Sequence, residues 1–436
     1  MKRGTQINRV PVSLTLLVAI IAALGLACCG GSASIETVVR ANEVRSEKPR
    51  LPADLSAVDS VPALVADNTE FALELYGELF ESDDNVFLSP HSLSVALGMT
   101  YAGARGETER QMAEALQFSL PQSELHPAFN ALDQALVGEG QDEPQATQLR
   151  CVNALWGQQG ETFLEPFLDT LAENYDAGMQ LVDFGQAEEA REQINNWGSE
   201  QTENRIEELL PPGALSGETA LVLTNAAYFQ AAWREPFAEE ATHDAGFTLL
   251  EGDQVMVPTM EQVANLGYAE LPGVQAVELP YAGGDLSMVI LLPDDGSFEP
   301  FAQALDAGQL DSIVGALAPT SLRLALPRFR YDADFELRDA LTALGMVDAF
   351  GDPADFSGID GTRELFIEQI YHQAFVDVDE AGTEAEAASA VAMARKGAPQ
   401  VEQEVRVERP FLFFIRDIDT NTILFLGHIV NPLVPA

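Results

Sequence analysis

The chain has 436 residues, 47% of them hydrophobic, enough to bury one large core or two ordinary ones and too apolar for a disordered polypeptide. With 69 acidic against 23 basic residues its net charge is −46, which repels phosphate backbones and anionic membranes and argues against a nucleic-acid partner. No segment is rich enough in Lys or Arg to bind a polyanionic activator.

Lys2, Arg3 and Arg9 lead into an apolar run from Val12 to Leu26, followed by small residues around Ala27, Cys28, Cys29 and Gly30. That order predicts an export signal over residues 1–29. The run falls short of the roughly 20 apolar residues that cross a bilayer. Ala27-Cys28 is similar to the cleavage site of bacterial lipoproteins, in which the cysteine is lipidated, although Gly25 stands where such sites usually carry leucine. Lipid anchoring through Cys28 and simple cleavage with secretion are both open, and either makes the mature protein extracytoplasmic. Residues 30–62 are polar and small without sustained periodicity, which predicts a flexible linker.

Phe71, Leu75 and Leu79 then recur every four residues with Ala72, Tyr76 and Phe80 beside them, predicting an amphipathic helix. Thr108 followed by Gln111 predicts a capping box that opens another. Cys151, the only cysteine beyond the signal region, is expected as a buried apolar residue, so the domain must stand on its core without a disulfide. Strands are predicted over 221–229, 276–281, 286–292, 365–378, 405–415 and 423–430, with Gly283-Gly284-Asp285 as a hairpin turn. No repeat and no second linker divides the chain, which reads as one α+β domain over 63–436, helix-rich at first and sheet-rich later.

Chemistry is hard to place on this chain. It has no G-x-S-x-G elbow, no H-E-x-x-H, no P-loop and no G-x-G-x-x-G. Its histidines, His91, His126, His243, His372 and His428, show no metal-ligand spacing, and no cofactor is implied. His372 shares an alternating face with Ala374, Val376 and Val378, which predicts a buried, hydrogen-bonded histidine and not a catalytic base. An enzyme is therefore not expected.

The informative stretch runs from Asp379 to Val401, between two predicted strands. Its Ala and Glu content suits an exposed helix. Period two gives another reading: Thr383, Ala385, Ala387, Ser389, Val391 and Met393 fall on one uncharged, mostly small face, with Glu384 and Glu386 on the other. Such a segment can enter a sheet as a half-buried strand at little steric or desolvation cost. Gly382 is the hinge before it. Lys396 is the only lysine after Lys48, and with Arg395 before it and small Gly397 after it forms a cleavage site for a trypsin-like protease.

At this point the chain resembles a serpin over nearly all of residues 61–432. Asn85-Val86-Phe87-Leu88-Ser89-Pro90-His91-Ser92 is similar to the family's N-x-F-x-S-P-x-S motif. Trp197, Thr202 through Leu210, and Leu223-Thr224-Asn225-Ala226-Ala227-Tyr228-Phe229 with Trp233 and Phe237 resemble its central block. Glu380-Ala381-Gly382-Thr383-Glu384-Ala385 resembles its hinge, and Pro410-Phe411, Gly427 and Asn431-Pro432 its C-terminal signature.

The resemblance implies a fold of three β-sheets and eight or nine helices, with a reactive loop exposed outside the largest sheet. It implies a monomer that traps a target serine protease as an acyl-enzyme when the cleaved loop inserts as a new strand, a mode of strand addition with release of strain known for such proteins. The target is trypsin-like with preference for Lys or Arg, or subtilisin-like. The family's hinge-to-bait spacing makes Lys396-Gly397 the cleaved bond, with Arg395-Lys396 the alternative. The hinge would comprise Glu380, Gly382, Thr383, Glu384, Ala385, Glu386, Ala387, Ala388 and Ser389. Ser89, Asn225 and His372 fall where serpins carry a polar cluster beneath the opening sheet, and Trp197 where the loop enters. Glu386 departs from the alanine usual at its position, but it shares the face of Glu384, which is expected to be solvent-facing. The alternative is a non-inhibitory serpin-fold binding protein or chaperone.

Overall fold

A computed structural model describes residues 43–52, 58–138, 147–202, 204–383 and 401–433. The segment 1–29, expected as an export signal and including Cys28, lies outside them, as do Glu384 to Ser389, Arg395, Lys396 and Gly397.

In chain order the elements begin with β1 (Glu43–Val44), α1 (Val61–Leu79), β2 (Val86–Leu88), α2 (Pro90–Tyr101), α3 (Gly106–Ala115) and α4 (Gln122–Gly138). Ser89 opens α2: its hydroxyl accepts from the Ser92 amide at 3.4 Å, and Pro90 fits the first turn, where no amide partner is needed. Thr108, expected as a cap, sits inside α3 instead. It is fully buried, and its hydroxyl accepts from the Asp355 amide at 2.9 Å. Gln111 reaches sideways as well, accepting from the Val347 and Asp348 amides.

The chain continues through β3 (Thr147–Gln158), α5 (Glu165–Tyr175), β4 (Met179–Val182), α6 (Ala187–Gln201), β5 (Leu221–Ala232), β6 (His243–Thr248), β7 (Gln254–Leu271), β8 (Val274–Pro280) and β9 (Leu286–Pro293). Gly283 and Gly284, both at positive φ, make the expected turn between β8 and β9. Next come α7 (Phe298–Ala304), α8 (Ala307–Ala316), β10 (Ala318–Pro327), β11 (Phe329–Glu336), α9 (Arg338–Ala343), α10 (Ser357–Asp360), β12 (Ile367–Val378), β13 (Gly382–Thr383), β14 (Gln403–Arg406), β15 (Phe411–Asp417) and β16 (Ile423–Ile429). The single strand expected over 405–415 is two. β14 runs parallel to β10, whereas β15 lies between β9 and β16, and proline at 410 separates them.

Seven strands form one sheet in the order β1-β4-β3-β5-β13-β12-β11, and nine form the other. The expected three sheets appear as two hydrogen-bonded networks because β7 is shared: β6 pairs with Gln254–Thr259, β10 with Thr259–Tyr268 and β8 with Gly267–Leu271. The described residues hold ten α-helices, one of them the four-residue α10, against eight or nine expected.

Three apolar clusters position the first sheet. Phe229, Trp233, Tyr281 and Phe413 belong to the cluster between the two sheets; Leu221, Leu223 and Ile370 to the cluster shared with α1 and α2; Trp156, Val222 and Tyr371 to the one under α6. β5 is therefore covered on both faces, with Leu221 through Phe229 buried without a break. Each large apolar side chain so buried stabilises by roughly 1.5–3 kcal/mol.

Residues 43–51, expected within a flexible linker, are docked on the domain. β1 adds an edge strand to β4, Lys48 Nζ meets Asp169 at 2.8 Å and Glu173 at 3.2 Å, Arg50 meets Asp133 at 2.6 Å, and the Leu51 amide donates to the Glu173 carbonyl. The acidic faces of α4 and α5 hold the chain's scarce cations here.

Candidate functional site

The first sheet is not uniform along its length. From Leu221 to Tyr228, β5 pairs directly and in parallel with β12 (Ile367 to Phe375), with His372 opposite Asn225. Above Tyr228 the two strands part, and β13 fills the gap antiparallel to both: Gly382 opposite Ala232, and Thr383 opposite Ala231 on one side and Val378 on the other. The hinge expected outside the sheet is thus already two residues inside it.

Close packing explains why glycine begins this wedge: a Cβ at Gly382 would collide with the Ala231 carbonyl oxygen and the Ala232 backbone, which cannot swing away. Thr383 is fully buried, and its Oγ1 lies 2.7 Å from the Tyr281 hydroxyl. Tyr281 stacks on Trp233 with centroids 4.6 Å apart. Trp233 in turn donates its amide to the Ala381 carbonyl at 2.8 Å and its indole N–H to the Asp379 carbonyl at 3.0 Å. Asp379 accepts from the Ala381 and Gly382 amides, fixing the turn. Glu380 is buried, which by itself would raise its carboxyl, but hydrogen bonds from Thr242 and Arg328 hold it below the usual range.

Trp197 is not at this gate. It lies on α6, edge-on to Trp156 at 5.3 Å on the outer face of the sheet. The tryptophan beside the seated residues Gly382 and Thr383 is Trp233, just past the end of β5. Tyr281, Thr242 and Arg328 complete the gate, and no spacing in the sequence ties them to 379–383.

Below the gate, Ser89, Asn225 and His372 do come together. The Ser89 amide donates to His372 Nε2 at 3.0 Å, and Nδ1 therefore carries the proton that bonds Asn225 Oδ1. Asn225 Nδ2 donates to Ser92 Oγ at 2.6 Å and to Asn153 Oδ1 on β3. The cluster bridges β5 and β12 where they still pair, so parting these strands must break it. Burial pushes His372 down to about 3, so the imidazole is neutral. Ser89 Oγ is committed to the Leu424 carbonyl at 2.8 Å and is not aimed at His372 as a nucleophile would be. Cys151 on β3 is half-buried, and burial pushes its thiol up to about 12, so it is not a thiolate.

Burial also lowers His126 and His428 to about 4, and His91 below its ordinary value. Each is neutral in the fold and takes up a proton near pH 6.5 only when unfolded, so the stability each contributes is present above 6.5 and lost as pH falls. The loss reaches up to about 1.4 kcal/mol per pH unit per histidine. In molar salt, where carboxylate repulsion is screened, the unfolding midpoint should drop from pH 7 to 4.5; a flat midpoint would show these rings accessible to protons in the fold.

Comparison with known proteins agrees with this geometry. The family model described as Serpin (serine protease inhibitor) matches residues 66–432. A leukocyte elastase inhibitor of Sus scrofa is 41% identical, covering 85% of this chain and 99% of that protein. An uncharacterized serpin-like protein of Thermococcus kodakarensis is 40% identical, covering 83% of this chain and 84% of that protein. Among solved structures, the thermophilic serpin Tengpin in its native state superposes with a TM-score of 0.78 at 28% identity, covering 89% of this chain and 97% of that one. Uncleaved ovalbumin gives 0.76 at 27%, covering 85% and 100%.

Proposed function

The chain belongs to the serpin family, and from that premise we propose that it inhibits trypsin-like serine proteases by suicide trapping. The protease serine attacks the Lys396 carbonyl, the bond to Gly397 breaks, the new Gly397 amine leaves with a proton, and an ester joins Lys396 to the enzyme. The loop then inserts between β5 and β12 before water cleaves that ester.

The observation that carries this reading is β13. Its two residues sit in the register an inserting strand would continue, above a β5–β12 ladder that is still closed. Continued without slip, that register sets Ala385, Ala387 and Ser389 opposite Phe229, Ala227 and Asn225 on β5, and opposite Val376, Ala374 and His372 on β12. These are fully or almost fully buried positions, and they meet the small uncharged face of the loop. Ser389 would arrive at the polar cluster with a hydroxyl able to satisfy the groups that separation exposes. The relatives named as protease inhibitors support the same function.

Incubation with trypsin-like and subtilisin-like proteases should yield a covalent complex that survives denaturation. Cleavage without such a complex would favour the non-inhibitory binding protein or chaperone. The proposal extends to location: Lys2, Arg3 and the run from Val12 to Leu26 support export, followed by secretion or by lipid anchoring at Cys28. Intact mass of the mature protein should show a lipidated Cys28 or a start shortly after it, and a chain beginning at Met1 or Lys2 would refute export.

A further inference from the structure

A cavity of about 320 Å³ lies between the segment that follows α6 and the strands β11 and β12, walled by Leu209, Pro211 and Tyr371 and edged by Asp334, Glu336 and Gln373. We propose that it is a binding site for an aliphatic polyamine.

Its polar groups are acceptors. Asp334 and Glu336 are two positions apart on one face of β11, roughly 7 Å along the strand, and among the described residues neither has a basic side chain within ion-pair distance. Arg330, on the same face, is turned toward Asp377 at 3.9 Å and lies 4.9 Å over the Phe375 ring. Gln373 donates its amide N–H groups to the Asp334 carboxylate and, at 2.9 Å, to the Glu208 carbonyl. Its Oε1 is thereby fixed, buried and without a donor among the described residues. Closed off from the cavity, that oxygen is out of reach of an occupant, so the acceptors open to a ligand are the exposed Asp334 and Glu336 carboxylates.

A ligand matched to this lining carries several N–H donors, positive charge and no acceptor. A single metal ion does not suit it, because oxygen ligands must converge within about 2.6 Å, whereas these carboxylates sit side by side along a strand. Two ammonium groups separated by four methylenes span a comparable distance, and their spacer packs on Leu209, Pro211 and Tyr371. Tyr371 adds an aromatic face for a cation, and burial, then Glu336 and Glu368, push its phenol up to about 12. The site joins the segment bearing Glu208 to β12 at the level of His372. If the insertion reading holds, on which this consequence rests, an occupant opposes separation of β5 from β12.

Calorimetric titration of spermidine into the full chain tests the site, at fixed ionic strength and without protease. The parent should show saturable one-site binding, weakened at least tenfold in the Asp334→Asn, Glu336→Gln double variant. It should be unchanged in Glu299→Gln, Asp311→Asn, which removes the same charges from exposed positions at α7 and α8. Equal heats in all three proteins, or equal competition by Mg²⁺, would mean counter-ions spread over an acidic surface and would overturn the proposal. Saturating spermidine should also lower the fraction of protease trapped by the parent but not by the double variant. Binding without that effect keeps the site and overturns its coupling to the sheet. Absence of any trapped complex would count against the inhibitor reading instead, while the calorimetry still decides the site.

Discussion

Thr383→Arg is expected to turn the protein from an inhibitor into a substrate, lowering the ratio of trapped to cleaved product by about a hundredfold or more. Thr383 is fully buried between Ala231 and Val378, with its hydroxyl on Tyr281 and aromatic rings around it. A guanidinium has no carboxylate partner there, and burying a lone charge costs several kcal/mol even after relaxation, each 1.4 kcal/mol being a factor of ten. The wedge should therefore withdraw before any cleavage, while the bait bond stays cleavable, and hydrolysis of the acyl-enzyme wins the race. Glu384→Arg is the control. If an inserting strand continued the register of β13, position 384 would fall between Gln230 and Asp377, both only partly buried, and the ratio should change less than threefold. Densitometry of denaturing gels after reaction with trypsin, with each variant's folding checked by its unfolding midpoint, reads the outcome. Equal trapping by parent and both variants would refute strand insertion from this hinge.

Lys396→Leu is expected to slow inhibition of trypsin-like enzymes by about 10²–10³-fold. The acidic specificity pocket of such an enzyme would be left with a buried charge and no partner, a loss of 2–5 kcal/mol. Mass spectrometry of the fragment released from the parent should show Gly397 as its first residue. A fragment starting at Lys396 would move the assignment to Arg395, and an unchanged rate for the leucine variant would remove the bait assignment altogether.

How much of this was legible depended on how local the signal was. β12 and β5 are legible because long runs of apolar and β-branched residues betray buried strands, whereas the alternating small residues expected of the hinge after Thr383 lie outside the described residues. His372 was placed correctly by parity alone. The gate was not legible. Trp197 and Trp233 both lie in the same motif-rich block, and only the fold shows that Tyr281, from the β8–β9 hairpin, stacks on Trp233 beside Gly382. β3 is not legible in the sequence because Arg150, Cys151 and Asn153 interrupt any clean alternation in a strand that contributes to a polar cluster. β1 was hidden because two residues carry no periodicity and their partners, Met179 and Gln180, lie far along the chain.

In the proposed trapping, the two seated residues of β13 would be the start of a stroke whose length and force can be calculated. Beyond the two positions already occupied, β5 offers ten more, Gln230 to Leu221, roughly 33 Å at about 3.3 Å per step. About ten net strand hydrogen bonds, at 0.5–1.5 kcal/mol each, supply roughly 5–15 kcal/mol over that path. The mean force is then on the order of 10–30 pN, delivered once and in one direction, and a protease esterified to Lys396 would be its load.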